Sequence, residues 1–273
     1  SAPVGAYLRL LPTDGGAVLQ LDADGAFGGF ESFVTIITFE NVSANAFTAA
    51  NFNGFSPNGA APVGGTVVGS EAGERLSGTA GADAISGLGG ADTIYGGLGN
   101  DLIDGGAGND TLFGGGGDDT IDGGADDDRL TDESEGSDTL RGGAGNDHLS
   151  LSHIGISGAT EAVRLEGGTG DDSVDFQSFA KGTANIDLGD GADRLTLFLT
   201  GPVATALTVT LGAGSDVVRL NGSAQFGVAP VIVDFQPGTS GDVLYLDDHL
   251  SRRLLNWNGD NPFGSGGYLR AIQ

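Results

Sequence analysis

Twelve aspartates in this chain are each followed two positions later by an aliphatic side chain. The pairs are Asp83/Ile85, Asp92/Ile94, Asp101/Ile103, Asp110/Leu112, Asp119/Ile121, Asp128/Leu130, Asp138/Leu140, Asp147/Leu149, Asp172/Val174, Asp193/Leu195, Asp216/Val218 and Asp242/Leu244. Carboxylates at regular intervals, in a chain without cysteine, are oxygen donors suited to a hard cation such as calcium. Glycines crowd the residues just before them: Gly87, Gly89, Gly96, Gly97, Gly99, Gly105, Gly106, Gly108, Gly114, Gly115, Gly117, Gly123, Gly142, Gly143 and Gly145. Glycine tolerates positive φ and has no Cβ, so such a turn can curl tightly and aim backbone carbonyls at the point its aspartate reaches. The aspartates and glycines together are the candidate metal ligands, with several calcium ions as the expected cofactor.

The elements that must position these groups follow from the period. From Gly78 the chain divides into nines: GTAGADAIS, GLGGADTIY, GGLGNDLID, GGAGNDTLF, GGGGDDTID and GGADDDRLT. A seventh unit, within DESEGSDTLR, arrives one residue late, and the extra residue reads as a bulge; GGAGNDHLS restores the pattern. In each nine, a six-residue turn leads into three residues of strand, whose alternation points the aliphatic inward and its neighbours outward. Two nines make one coil, so turns stack on alternate edges. Asp83, Asp101, Asp119 and Asp138 share one edge and Asp92, Asp110, Asp128 and Asp147 the other. An ion between successive turns then collects oxygens from two coils, toward the six to eight that calcium prefers. Unscreened carboxylates stacked at the roughly 4.8 Å strand spacing would repel strongly without it. Ile85, Ile94, Ile103, Leu112, Ile121, Leu130, Leu140 and Leu149 form the inward core row. Asp104 and Asp122, at the ninth position, belong to the solvated face.

Beyond Asp147 the units stretch, with apolar β-type runs before each turn in ANIDLGDGAD, LTVTLGAGSD and VIVDFQPGTSGD. These read as longer coils of the same stack.

The repeats resemble the repeats-in-toxin (RTX, hemolysin-type) family, whose nonapeptide GGxGxDxUx forms a parallel β-roll with calcium in its turns. The similarity spans roughly residues 78–175. Thr79 and Leu88 depart from the motif's second glycine, Asp126 from its fourth-position glycine, and Glu133 and Ser134 from its opening pair. The resemblance implies a secreted or surface-attached bacterial protein, exported unfolded by type I secretion and folded on meeting extracellular calcium.

The expected architecture is all-β: a parallel β-roll or β-helix solenoid with small β-rich caps. Residues 1–55 carry AVLQLDADG and SFVTIITFENV, which alternate as strands, and SANAFTAANF, which suits a short helix; they form a cap or the tail of a preceding module. Asp22 and Asp24 in DADG read as a plain turn. Residues 56–68 are a linker, 69–175 the nonapeptide roll, 176–245 its longer coils, and 246–273 a terminal cap. YLDDHLSRRLLNW is the best helix candidate there, with Trp257, Phe263 and Tyr268 as covering aromatics. GGYLRAIQ near the C-terminus echoes GAYLRLLP near the N-terminus, and DF..G..GD..L followed by NPF and YLR resembles related secreted proteins. On that resemblance the chain reads as a slice of a tandem array, with neighbouring modules of the same polypeptide as partners. No signal peptide pattern opens it.

Composition excludes several functions. The formal charge is −26, with 37 acidic against 11 basic residues, so no basic patch exists for nucleic acid. No apolar run approaches the roughly 20 residues that cross a bilayer, so membrane insertion is not expected. HExxH and GxSxG are absent, and His148, His153 and His249 stand in other settings. The glycine-rich turns lead to aspartate rather than the lysine of a phosphate loop. The expectation is a non-catalytic calcium-binding module of a secreted or cell-surface protein such as an adhesin. The rival is an accessory module of a secreted protease, lipase or epimerase whose catalytic domain lies outside this chain. A cell-surface or carbohydrate target on the longer coils is a third reading.

Overall fold

In the computed structural model the described residues are 8–13, 16–22, 33–40, 64–134, 136–152, 160–177, 182–198, 202–203, 205–221, 225–226, 231–236 and 241–246. Among them there is no helix, and so none long and apolar enough to cross a membrane.

The repeat block winds into two parallel sheets facing one another. The first contains Thr66–Val68, Ala84–Ser86, Leu102–Ala107, Thr120–Ala125, Thr139–Ala144, Glu161–Thr169, Gly182–Gly191, Thr205–Thr210 and Val231–Ile232 in that order. The second contains Arg75–Ser77, Thr93–Leu98, Thr111–Gly116, Arg129–Asp132, His148–Ser152, Ser173–Gln177, Arg194–Phe198, Val217–Asn221 and Val243–Leu246. Successive strands in sequence alternate between the sheets, so each coil contributes one strand to each. This is the solenoid the period of nine demands.

Register locks the aliphatics into columns. Ile85, Ile103, Ile121 and Leu140 pair one above another in the first sheet, and Leu76, Ile94, Leu112, Leu130 and Leu149 in the second. The eight residues expected as the core row are 0–3% exposed. They meet between the sheets in one continuous hydrophobic cluster.

Coils are eighteen residues apart at first, then lengthen to 19, 25, 21, 23 and 26. The added residues lengthen the strands, as in Glu161–Thr169 and Gly182–Gly191, and widen the core. Leu149 gains Leu151 beside it, Val174 gains Phe176, and Ile186 sits between Ala184 and Leu188, all fully or almost fully buried.

Three readings are corrected. The extra residue near Asp132 makes no bulge: Thr120 pairs with Thr139 and Arg129 with His148 without a shift, so the turn between Asp132 and Thr139 absorbs it. Thr66–Val68, assigned to the linker, is the first rung, because Val67 fits the column above Ile85. Tyr245 and Leu246, assigned to a helix, complete a strand paired with Arg219 and Leu220. The rest of that helix, with Trp257, Phe263 and Tyr268, lies outside the described residues, as do SANAFTAANF, Asp24, His153 and His249.

Near the N-terminus, Leu8–Thr13, Gly16–Asp22 and Phe33–Glu40 form an antiparallel three-stranded sheet, irregular between Leu19 and Gln20. Two of these strands were legible as alternation. The strand over YLRLLP was not singled out.

Candidate metal sites along the edges of the roll

The turns place the aspartates in two ladders. On the first edge the backbone N–H of Asp83 donates to Asp101 Oδ1, Asp101 to Asp119 and Asp119 to Asp138, each at 2.8 Å. On the second edge the same bond runs from Asp92 through Asp110, Asp128, Asp147, Asp172, Asp193 and Asp216 to Asp242, at 2.7–3.1 Å. All twelve aspartates are buried, at 0–7% exposure. One oxygen of each carboxylate is thus committed to holding its turn against the coil before it.

The other oxygen decides what the site can do. Oδ2 of Asp92, Asp101, Asp110, Asp119, Asp128, Asp147, Asp172, Asp193 and Asp216 is buried without a hydrogen-bond partner. A buried carboxylate oxygen that lacks a donor carries a heavy desolvation cost unless it meets a cation or a proton. Burial pushes Asp119, Asp128 and Asp172 up to about 7, and Asp101, Asp147 and Asp193 up to about 6. Asp110 and Asp216 are raised for the same reason. The N–H bond from the preceding coil opposes the shift in each case, and neighbouring acids reinforce it.

These oxygens point at gaps between coils that only glycine leaves open. A Cβ added at Gly105 would sit 2.5 Å from Asp110 Oδ2 and 2.6 Å from the carbonyl oxygen of Gly123 one coil on. At Gly123 the same construction meets Asp128 Oδ2 and the Gly142 carbonyl, and at Gly142 it meets Asp147 Oδ2 and the Gly167 carbonyl. Gly78, Gly87, Gly96 and Gly167 open their turns in the same way. A carboxylate oxygen and a carbonyl from two coils therefore converge on each gap. That donor set, all oxygen and short of a counter-charge, fits calcium.

The turn backbone is left-handed at its second and fourth residues, as at Gly106 (φ +103°) and Gly108 (φ +115°). Leu88 (φ +75°) and Asp126 (φ +77°) hold the same conformation despite their side chains. These two departures from the motif are therefore strained copies of the turn rather than interruptions of it.

The ladder ends differ from its interior. Asp83 Oδ2 accepts from Thr79 N–H at 2.6 Å and Thr79 Oγ1 at 2.9 Å, and Asp242 Oδ2 from Gln236 N–H at 2.6 Å. Outside each ladder runs a more exposed one at the preceding turn residue, where Asn146 N–H donates to Asp127, Asp171 N–H to Asn146 and Ala192 N–H to Asp171.

Two features went unread in the sequence. Asp172, Asp193, Asp216 and Asp242 do not alternate but all extend the second edge. On the first edge Val163, Ala184 and Leu207 take the place of aspartate, and all three are buried. Asp132 opens the turn that ends at Asp138, where earlier turns on that edge open on Gly78, Gly96 and Gly114. Its Oδ2 reaches the gap beside Gly114 and Asp119, and Asp119, Asp132 and Asp138 each bring a carboxylate oxygen within 4.8 Å of the others.

With the geometry in hand, comparison with known families gives a match to the RTX calcium-binding nonapeptide repeat over residues 68–103, 98–130 and 134–151. The repeat block is an RTX calcium-binding β-roll. No curated protein matches the chain. The RTX match stops at the coil where regular nines give way to longer strands, although the second-edge ladder of the roll continues to Asp242.

Proposed function

We propose that this chain is a non-catalytic structural module of a secreted or cell-surface bacterial protein. It stays unfolded where calcium is scarce and becomes a rigid roll where calcium is abundant. The observation that carries this reading is the row of buried Oδ2 atoms without partners. At neutral pH such a row is compatible with folding only when cations lie along it.

The ions would be held between successive turns by Asp83, Asp101, Asp119 and Asp138 on one edge, and by Asp92, Asp110, Asp128, Asp147, Asp172, Asp193, Asp216 and Asp242 on the other. Carbonyls of the turn glycines would complete the oxygen set. Calcium supplies the positive charge that lets adjacent acidic turns close on one another. The residues themselves do the rest: Oδ1 aligns each turn on the coil before it, and the aliphatic two positions later anchors the strand.

Extracellular calcium modules bind with dissociation constants of about 10⁻⁴ to 10⁻³ M, so their sites stay empty in a low-calcium cytosol. The unfolded, strongly acidic chain then suits passage through a type I secretion channel, and folding follows outside. Calcium titration followed by circular dichroism tests this. The expected result is a cooperative gain of β signal at neutral pH in the millimolar range or below. A calcium-free chain with full β structure at neutral pH would overturn the proposal.

A further inference from the structure

We infer that the junction between the Gly114–Asp119 turn and the Asp132–Asp138 turn is a three-carboxylate cation site, tighter than its neighbours, with Asp132 as an additional ligand. The inference rests on the calcium reading above and deepens it.

Each regular junction on the first edge offers carboxylates from two turn-ending aspartates, and its turns open on glycine. Asp132 breaks that rule at one junction. It is 1% exposed, and its two oxygens divide their work. Oδ1 accepts from Ser134 N–H at 2.9 Å and Ser134 Oγ at 3.1 Å, which braces the seven-residue turn. Oδ2 faces the other way, into the gap that a Cβ on Gly114 would fill, where Asp119 Oδ2 also points. Asp119 Oδ2 is buried without a partner, in a side chain 1% exposed.

The location also sets this junction apart. The next coil puts Leu151 at the register position of Asp132 and Val163 at that of Asp138. At the positions of both aspartates, therefore, the next coil carries aliphatic side chains in place of carboxylates. A cation at this junction has a third carboxylate to draw on, and calcium affinity rises with ligand charge count.

Isothermal titration of the whole chain with calcium, alone and against a competing chelator, tests the assignment on wild type, D132N and D132G. D132N keeps an oxygen for Ser134 while removing the charge, and D132G gives the turn the opening of its neighbours. The expected result is that the tightest class of site in wild type weakens by about tenfold or more in both variants, while the weaker classes stay in place. Isotherms of D132N and D132G that superimpose on wild type would overturn the inference and leave the general calcium reading standing. A wild-type chain that takes up no calcium would overturn both.

Discussion

The backbone N–H of Asp110 donates to Oδ1 of Asp128 at 2.8 Å, one coil along, while Oδ2 of Asp128 stays buried and without a partner. One side chain thus has two duties, and they fall on different oxygens. Asp110 itself receives the same bond from Asp92, so each interior aspartate joins two coils and borders two junctions.

Asp110→Ala should therefore lower the stability of the calcium-loaded roll by about 3 kcal/mol, because it strips one bond and strands the charges left on either side. Asp104→Ala, on the exposed face of the same coil, should change it by less than about 0.5 kcal/mol. Urea unfolding at saturating calcium separates the two. A loss below about 1 kcal/mol for Asp110→Ala would mean that the ladder does not bear the load assigned to it.

In the metal-free protein, pH should act in the opposite sense to ordinary acid unfolding. The folded state raises Asp119, Asp128 and Asp172 to about 7 and Asp101, Asp147 and Asp193 to about 6, from 3.8. A raised acid contributes stability that is fully present below the unfolded value and lost as pH rises through the folded one. Calcium-stripped chain should thus gain β signal in circular dichroism near pH 4 and lose it between about pH 6 and 7. Protons and calcium compete for the same oxygens, so calcium affinity should fall as pH drops through that window.

The strained turns give a test that leaves the ligands untouched. Leu88 holds φ +75° and its side chain is 44% exposed, so little packing is lost on its removal. Leu88→Gly should stabilise the loaded roll by roughly 0.5–1 kcal/mol, the left-handed penalty less the extra entropy of glycine. Gly106→Leu, one coil on, should destabilise it, since a Cβ there meets the Leu88 carbonyl. Thermal melts in calcium read both signs.

What could be read without coordinates is the part that repeats. Asp92 and Ile94 are legible because the turn needs the first, the core needs the second, and the strand's alternation fixes the gap between them. Nine such residues per unit fix the coil, and the coil fixes which aspartates stack. Two features broke the reading. Reading Asp172 and Asp193 only as parts of longer coils, with no edge assigned to them, hid the fact that the turns between them had lost their aspartates. The clue was present in Val163/Leu165, Ala184/Ile186/Leu188 and Leu207/Val209/Leu211, where apolar residues alternate and none of them follows an aspartate by two positions. Asp132 was missed for a different reason. It sits in the nonapeptide turn with an extra residue, and the pairing of Thr131 with Phe113, which sets Asp132 level with Gly114, shows that it occupies the opening position.

That change along the first edge implies that the roll is not uniform in its need for metal. From Ile85 to Leu130 each strand contributes one buried aliphatic, and acids line both edges. From Glu161 to Leu211 the strands and their ends contribute two or three buried apolar side chains, including Leu165, Phe176, Leu188, Leu197 and Leu211, and the ladder of turn aspartates continues on the second edge alone among the described residues. Each added aliphatic stabilises by about 1.5–3 kcal/mol when fully buried, and each aspartate replaced removes a charge that calcium would have to neutralise. As calcium is withdrawn at neutral pH, amide protection should vanish first over residues 75–132 and persist longest over 161–220. Leu197→Ala should cost about 2–5 kcal/mol and erase that difference, because it empties the part of the core that depends least on metal. Hydrogen exchange at stepped calcium concentrations makes the comparison directly. Protection lost at the same calcium level in both halves would show that the ions, and not the widened core, set the stability of the longer coils.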